Sequence, residues 1–111
     1  MTIACMLRTA FFVACAAIFA YTPFAQAADR SAGAAKAKEV CASCHGMDGN
    51  SPLPENPKLG GQHADFLAKA LRDYKSGARK NPVMTGFAAG LTSRDIENLS
   101  AYYAAQPRVV Q

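Results

Sequence analysis

The sequence predicts an all-α fold, and two observations carry this prediction. Three stretches place apolar residues at the three- and four-residue spacings of a helix face, and Gly- and Pro-rich segments separate them. No stretch alternates apolar and polar residues as a half-buried strand would, apart from a short Val109-Val110 tail. The 111 residues are enough for one small domain, and we find no internal repeat or low-complexity tract.

The first 27 residues have the pattern of a secretory signal peptide. Arg8 precedes an apolar run over residues 9–20, and an A-x-A cleavage signal ends at Ala27. We therefore expect export to the periplasm, cleavage after Ala27 and a mature domain over residues 28–111. An uncleaved anchor is disfavoured, because a spanning helix needs roughly 20 apolar residues. A lipoprotein cysteine at Cys15 is disfavoured because the apolar run before it is too short.

The first predicted helix runs from about Ser31 to Ser43, in Ala-rich sequence, with Ser31 as its N-cap. Three residues at spacings of four and three share one face of this helix: Gly33, Ala37 and Val40.

The second predicted helix runs from about His63 to Ser76, and Gly77 is a suitable C-terminal stop. Its apolar stripe consists of Phe66, Leu67, Ala70, Leu71 and Tyr74.

The third predicted helix runs from about Ser93 to Ala105. Thr92 and Asp95 have the spacing of a capping box, and the apolar face consists of Ile96, Leu99 and Tyr103. The segments 46–62 and 78–91 are predicted to be long loops. Such loops in a compact domain are usually functional, and here both would wrap a cofactor.

Composition limits the class of partner and the size of the core. The 84 mature residues carry eleven Lys and Arg against eight Asp and Glu, a net charge of +3. No basic run is interleaved with aromatic residues, so we do not expect a nucleic-acid partner. So short a chain usually needs a covalent or metal staple to support its core.

Residues 41–45 read Cys-Ala-Ser-Cys-His, the C-x-x-C-H motif at which c-type haem is attached. Cys41 and Cys44 would add across the two haem vinyl groups as thioethers. His45 would reach the iron from one face. We therefore expect one covalently bound haem c with its iron.

Other uses of the cysteine pair fit less well. A zinc site needs four ligands, and adjacent Cys44 and His45 are awkward for one tetrahedral ion. A thioredoxin-like pair would lie near a βαβ pattern, which is absent from the sequence. A disulfide is usual in exported chains, but one between Cys41 and Cys44 would close too tight a loop to stabilise much.

Met84 is the predicted second iron ligand. Haem iron in electron carriers often takes His and Met together, and the Met raises the reduction potential. Met84 follows Asn81 and Pro82, and Pro82 keeps Asn81 extended, as suits a loop crossing the far haem face. The competing interpretation is that Met84 only fills an apolar gap.

Two other residues compete for the second iron position. Met47 lies two residues after His45 and would stay on the same side of the iron. His63 begins a helix, and we expect it to face solvent or a haem propionate instead.

Seven stretches resemble the class I cytochromes c, and specifically the single-haem unit of the bacterial cytochrome c4 and c-553 group. They cover nearly all of the mature chain: Cys41 to Gly46, Asp48 to Ser51, Pro57 to Leu59, Gly61 to His63, Lys75 to Arg79, Asn81 to Met84 and Leu91 to Tyr103. Cytochrome c4 itself has two such units in tandem, whereas this chain has one C-x-x-C-H.

The resemblance implies a small class I cytochrome c fold, with three main helices and two long loops wrapped around one haem c. It implies that His45 and Met84 are the axial ligands, and that the Pro57 carbonyl accepts a hydrogen bond from the His45 imidazole. It also implies that Gly33 lies against Tyr102 or Tyr103, where the first and last helices cross.

The function implied is one-electron transfer rather than enzyme catalysis. The expected partners are redox proteins such as a reductase complex, a terminal oxidase or a periplasmic dehydrogenase, with at most peripheral membrane contact. Six basic residues would either steer an acidic partner or form ordinary solvated surface: Lys36, Lys38, Lys58, Lys75, Arg79 and Lys80. Three rivals remain, namely a haem subunit of a dehydrogenase, a haem-based sensor and a metal-free or zinc-binding module.

Overall fold

The computed structural model describes residues 26–110, and within that range the chain forms five helices and no strand. They are α1 (Arg30–Val40), α2 (Ala42–His45), α3 (Ala64–Ser76), α4 (Pro82–Ala89) and α5 (Ser93–Ala104). The all-α prediction is confirmed. Residues 1–25, which make up most of the predicted signal peptide, lie outside the described range. Among the described helices, none combines the length and apolar character that a bilayer crossing requires.

The first predicted helix is two helices in the structure. Cys41 separates α1 from α2, because its φ of −116° leaves the regular helical range. The prediction of Ser31 as N-cap was wrong by two residues. The carboxylate of Asp29 accepts hydrogen bonds from the Ser31 and Ala32 N–H groups at 2.8 and 3.1 Å, and so satisfies the free donors that begin α1.

Helix α3 confirms the second predicted helix within one residue, because His63 caps it with extended backbone rather than joining it. Gly77 ends it in the left-handed conformation, with φ of 82°, and donates its N–H to the Tyr74 carbonyl at 3.3 Å. That conformation is the reason why a glycine stands here.

Helix α4 lies inside the segment 78–91, which the sequence pattern predicts to be a loop, and that prediction was wrong. The Asn81 side chain accepts from the Val83 and Met84 N–H groups, each at 3.0 Å, and Pro82 occupies the first helical position. Asn81 is extended, as predicted, but this extended residue is the N-cap of a helix rather than part of a loop.

Helix α5 begins with the predicted capping box. The Thr92 hydroxyl accepts from the Asp95 N–H at 3.0 Å, and the Asp95 carboxylate accepts from the Thr92 N–H at 2.9 Å. The hydrogen bonds that the Asp95 carboxylate accepts from the Thr92 N–H and from the Thr92 hydroxyl lower the pKa of this carboxyl below its ordinary value.

The core forms mainly where α5 packs against α1 and α3. Its buried members are Ala37, Leu67, Ala68, Leu91, Ile96, Leu99 and Tyr103. Helices α1 and α5 cross closely at Gly33, where an added Cβ would lie 2.2 Å from the Asn98 carbonyl oxygen and 2.8 Å from Tyr102 Cβ. The expected contact between Gly33 and the last helix is therefore present, and Tyr102 makes it.

Candidate cofactor site

A cavity of about 340 Å³ lies between the C-x-x-C-H segment and helices α3, α4 and α5. This volume is within the range of small-molecule and cofactor sites. All five residues of the predicted apolar stripe of α3 line it, as do Phe87 and Leu99. Helix α3 therefore turns its apolar face toward the cavity, where Phe66 is 53% exposed and Leu67 is buried.

Cys41 and Cys44 both line the cavity and, as free thiols, neither forms a disulfide. Cys41 ends α1 and is half-buried, whereas Cys44 lies in α2 and is exposed. Burial raises the pKa of the Cys41 thiol to about 11, against the opposing effects of Tyr103 and Lys36. A raised thiol pKa disfavours a reactive redox cysteine, because the thiolate is the nucleophile.

His45 is buried, with 7% of its surface exposed, and also lines the cavity. Its Nδ1 lies 2.8 Å from the Pro57 carbonyl oxygen. A carbonyl oxygen only accepts hydrogen bonds, so Nδ1 must carry the proton. The Nε2 lone pair is then free to act as a ligand.

Met84 lies in the first turn of α4, where Asn81 caps its N–H, and its side chain lines the same cavity as His45. The competing residues lie elsewhere. Met47 is 41% exposed, His63 is exposed, and neither lines the cavity. Within residues 26–110, no group of three or more His, Cys, Asp or Glu side chains is placed to hold a metal ion.

The donor set fits a covalently attached haem. The cavity offers two thiols on one short segment, one imidazole nitrogen with its proton directed away, and one thioether sulfur in a largely apolar wall. Thioether and imidazole are the ligands that haem iron takes in electron carriers.

The structure also brings to the site two residues that the sequence pattern does not connect with it. Tyr103 lines the cavity, and its hydroxyl donates to the Gly46 carbonyl at 3.2 Å. Ser100 lines it too, with a buried hydroxyl that has no hydrogen-bond partner among the described residues. Helix α4, which the sequence-based prediction missed, could have been found from its first residues, because Asn followed by Pro is typical of a helix start.

The comparisons with known proteins agree on one family. A family model described as "Cytochrome C oxidase, cbb3-type, subunit III" matches residues 28–102. Cytochrome c4 of Thiocapsa roseopersicina is 48% identical over 83 residues, which cover 75% of this chain and 43% of that protein. Cytochrome c-554(548) of Halomonas halodenitrificans is 40% identical over 83 residues, which cover 72% of this chain and 99% of that protein.

A solved structure agrees with these sequence matches. Reduced cytochrome c4 from Pseudomonas stutzeri superposes with a TM-score of 0.62 at 34% identity, over 73% of this chain and 51% of that one. The chain thus spans about half of that structure, and 43% of the length of the Thiocapsa cytochrome c4. From the all-α fold, the C-x-x-C-H segment on its cavity and these relatives, we conclude that the chain belongs to the cytochrome c family, whose cofactor is covalently bound haem c.

Proposed function

We propose that this protein is an exported monohaem cytochrome that carries single electrons between redox proteins. The observation that carries the proposal is that Cys41, Cys44, His45 and Met84 all line the same cavity. The match to nearly the whole length of cytochrome c-554(548) supports a single-haem protein of this size. When bound, the haem supplies a reversible Fe(III)/Fe(II) couple.

Each residue of the set has a separate role. Cys41 and Cys44 would carry the two thioether bonds, and His45 and Met84 would hold the iron. The Pro57 carbonyl fixes the tautomer of His45 and makes its Nε2 a better donor. Because the Asn81 side chain caps the Met84 N–H, the backbone that bears this thioether is held at the start of α4.

The partners are redox proteins rather than small substrates, and the chain is not itself an enzyme. Relatives carry names that point to such partners, for example "Thiosulfate dehydrogenase electron acceptor" in Stutzerimonas stutzeri, 38% identical over 89 residues. Of the six basic residues, Lys36 pairs with Glu39 at 2.9 Å and Lys75 donates to main-chain carbonyls. Lys58 also donates to a main-chain carbonyl, that of Val109, at 3.1 Å. Arg79 lies at the cavity and is the better candidate to meet an acidic partner.

A subunit role is the second candidate. A relative in Chlorobaculum tepidum, 38% identical over 63 residues, is named "Cytochrome subunit of sulfide dehydrogenase". Purification of the haem-loaded protein from the periplasm separates the two roles. A free carrier elutes alone, whereas a subunit elutes with its dehydrogenase.

The proposed location of the protein is the periplasm. The proposal includes cleavage of residues 1–27 and a periplasmic domain over residues 28–111, since covalent haem attachment and a signal peptide both belong to exported proteins. N-terminal sequencing of the protein purified from periplasm should begin at Ala28.

Met84→Ala tests the proposed iron ligation. We expect the oxidised protein to lose its far-red sulfur–iron absorption band and to show a lower reduction potential, because a thioether ligand favours Fe(II). Met47→Ala is the matched control, since Met47 is exposed and does not line the cavity. An unchanged band and potential in Met84→Ala would remove Met84 from the iron.

A further inference from the structure

The last helix reaches the turn that follows His45 with two consecutive side chains. The Tyr103 hydroxyl donates to the Gly46 carbonyl at 3.2 Å, and the Tyr102 hydroxyl donates to the Met47 carbonyl at 2.8 Å. The two rings meet edge to face, with centroids 5.1 Å apart. Two carbonyls in succession after His45 are therefore held from α5.

Tyr103 also holds the loop that carries the hydrogen-bond acceptor of His45. Its main-chain carbonyl accepts from the Gly61 N–H at 3.0 Å, four residues after Pro57. The Pro57 carbonyl in turn lies 2.8 Å from His45 Nδ1. The hydrogen bonds thus form a closed circuit, from His45 through Gly46 to Tyr103, and through the 57–61 loop back to His45.

The two arms of the circuit are also joined directly, and there is little free space between them. The Leu59 and Gly60 N–H groups both donate to the Gly49 carbonyl, at 2.7 and 3.1 Å. A Cβ added to Gly49 would lie 2.6 Å from Gly60 N and 2.8 Å from Tyr103 Cδ1. Tyr103 itself is 3% exposed. A small shift of the Tyr103 ring would therefore be passed to both segments.

We propose that Tyr103 is a positioning residue for His45. Its hydroxyl fixes the backbone immediately after the imidazole, and its carbonyl fixes the loop that bears the acceptor of the imidazole proton. The distance between Nδ1 and the Pro57 oxygen is thereby set from one residue of α5. This inference rests on the proposed role of His45 as an iron ligand, and it adds the residue that controls the donor strength of that ligand.

Tyr102 provides a matched control one position along the same helix. Its hydroxyl makes the shorter hydrogen bond of the two, but the acceptor is one residue further from His45, and Tyr102 does not line the cavity. Replacing either tyrosine by phenylalanine removes one hydroxyl and keeps the ring. Each variant therefore loses one hydroxyl-to-carbonyl hydrogen bond, and the two lost bonds lie at different distances from the imidazole.

The experiment compares Tyr103→Phe with Tyr102→Phe in the haem-loaded protein. By NMR we expect the His45 Nδ1 proton to exchange with solvent about fivefold faster in Tyr103→Phe, as loss of one hydrogen bond implies. We also expect its reduction potential to rise, because a looser bond to Pro57 makes the imidazole a poorer donor. Tyr102→Phe should change neither quantity.

The outcomes separate this inference from the proposed function. If both variants lower stability alike but leave the Nδ1 exchange and the potential unchanged, Tyr103 is structural only and the inference fails. If the unmutated protein lacks low-spin His/Met spectra, the proposed function fails first. If Tyr103→Phe yields no holoprotein, a measurement on the unmutated holoprotein tests the inference instead. The Tyr103 hydroxyl proton must then exchange more slowly than that of Tyr102, and equal rates would overturn the inference.

Discussion

At the scale of single residues, His45 owes its orientation to a backbone atom twelve positions away, the Pro57 carbonyl oxygen. The C-x-x-C-H motif identifies the imidazole as a ligand, and the family resemblance supplies the proline. Neither indicates that Tyr103 holds the segments on both sides of that hydrogen bond. A tyrosine at a helical apolar spacing is predicted to be core, and Tyr103 is core as well.

Ser100 carries a hydroxyl that its surroundings do not satisfy, since its Oγ is buried without a partner among residues 26–110. We expect Ser100→Ala to raise the free energy of unfolding of the haem-loaded protein by about 1 kcal/mol, because an unpaired buried polar group is costly. Denaturant unfolding measures the change.

Ser51→Ala is the control for Ser100→Ala. Ser51 is also buried, but its hydroxyl accepts from the Leu53 N–H at 3.2 Å, so this variant should be less stable than the parent. If Ser100→Ala is destabilised to the same degree as Ser51→Ala, then the Ser100 hydroxyl has a partner in the haem-loaded protein.

At the scale of elements, α4 shows how a short helix escapes a pattern-based prediction. It has eight residues, one of them Gly86, and mostly apolar sequence, so no amphipathic period distinguishes it from a loop. Its ends are held by contacts that the pattern does not contain. Asn81 caps the start, and the Lys75 amine donates to the carbonyls of Ala89 and Leu91 at the end. Met84 therefore lies in a helix whose two ends are fixed by hydrogen bonds.

Two glycines in helices should respond in opposite directions to alanine. Gly33→Ala places a Cβ 2.2 Å from the Asn98 oxygen at the α1–α5 crossing, and we expect a loss of about 3 kcal/mol from such overpacking. Gly86→Ala meets nothing within 4 Å, and we expect a gain of about 0.5–1 kcal/mol from helix propensity.

Thermal unfolding of both glycine variants, loaded with haem, tests this pair of expectations. A stable Gly33→Ala would mean that α1 and α5 can separate without cost. Similar melting temperatures for the two variants would refute the assignment of Gly33 as the contact on which the crossing depends.

At the scale of the whole molecule, the cavity extends the small protein core. Leu67, Leu99 and Tyr103 belong to the buried core and also line the cavity. The exposed Phe66 and Phe87 line it as well, so the core and the cavity wall form one continuous apolar surface. A chain this short usually needs a covalent or metal staple to support its core.

Replacing both haem anchors should consequently abolish more than haem attachment. We expect Cys41→Ser with Cys44→Ser to retain no haem on a denaturing gel, and to show little helical signal in far-ultraviolet circular dichroism. Single replacements are the control, since each leaves one thioether and should retain some haem. A double variant that stays helical without haem would show that the protein core is sufficient alone.

Neighbouring residues along the chain are enough to predict covalent haem attachment and much of the local structure. Four features depend only on neighbours in the chain, so they can be recognised from the sequence. They are the C-x-x-C-H spacing, Met84 after Asn81 and Pro82, the capping box at Thr92 and the stop at Gly77. The tertiary structure alone decided which apolar faces meet protein and which meet the cavity. It also decided that Asp29 rather than Ser31 caps α1 and that Tyr103 joins the His45 turn to the Pro57 loop. The physical reason is that these contacts join residues far apart in sequence, whose distances are set only when the helices pack.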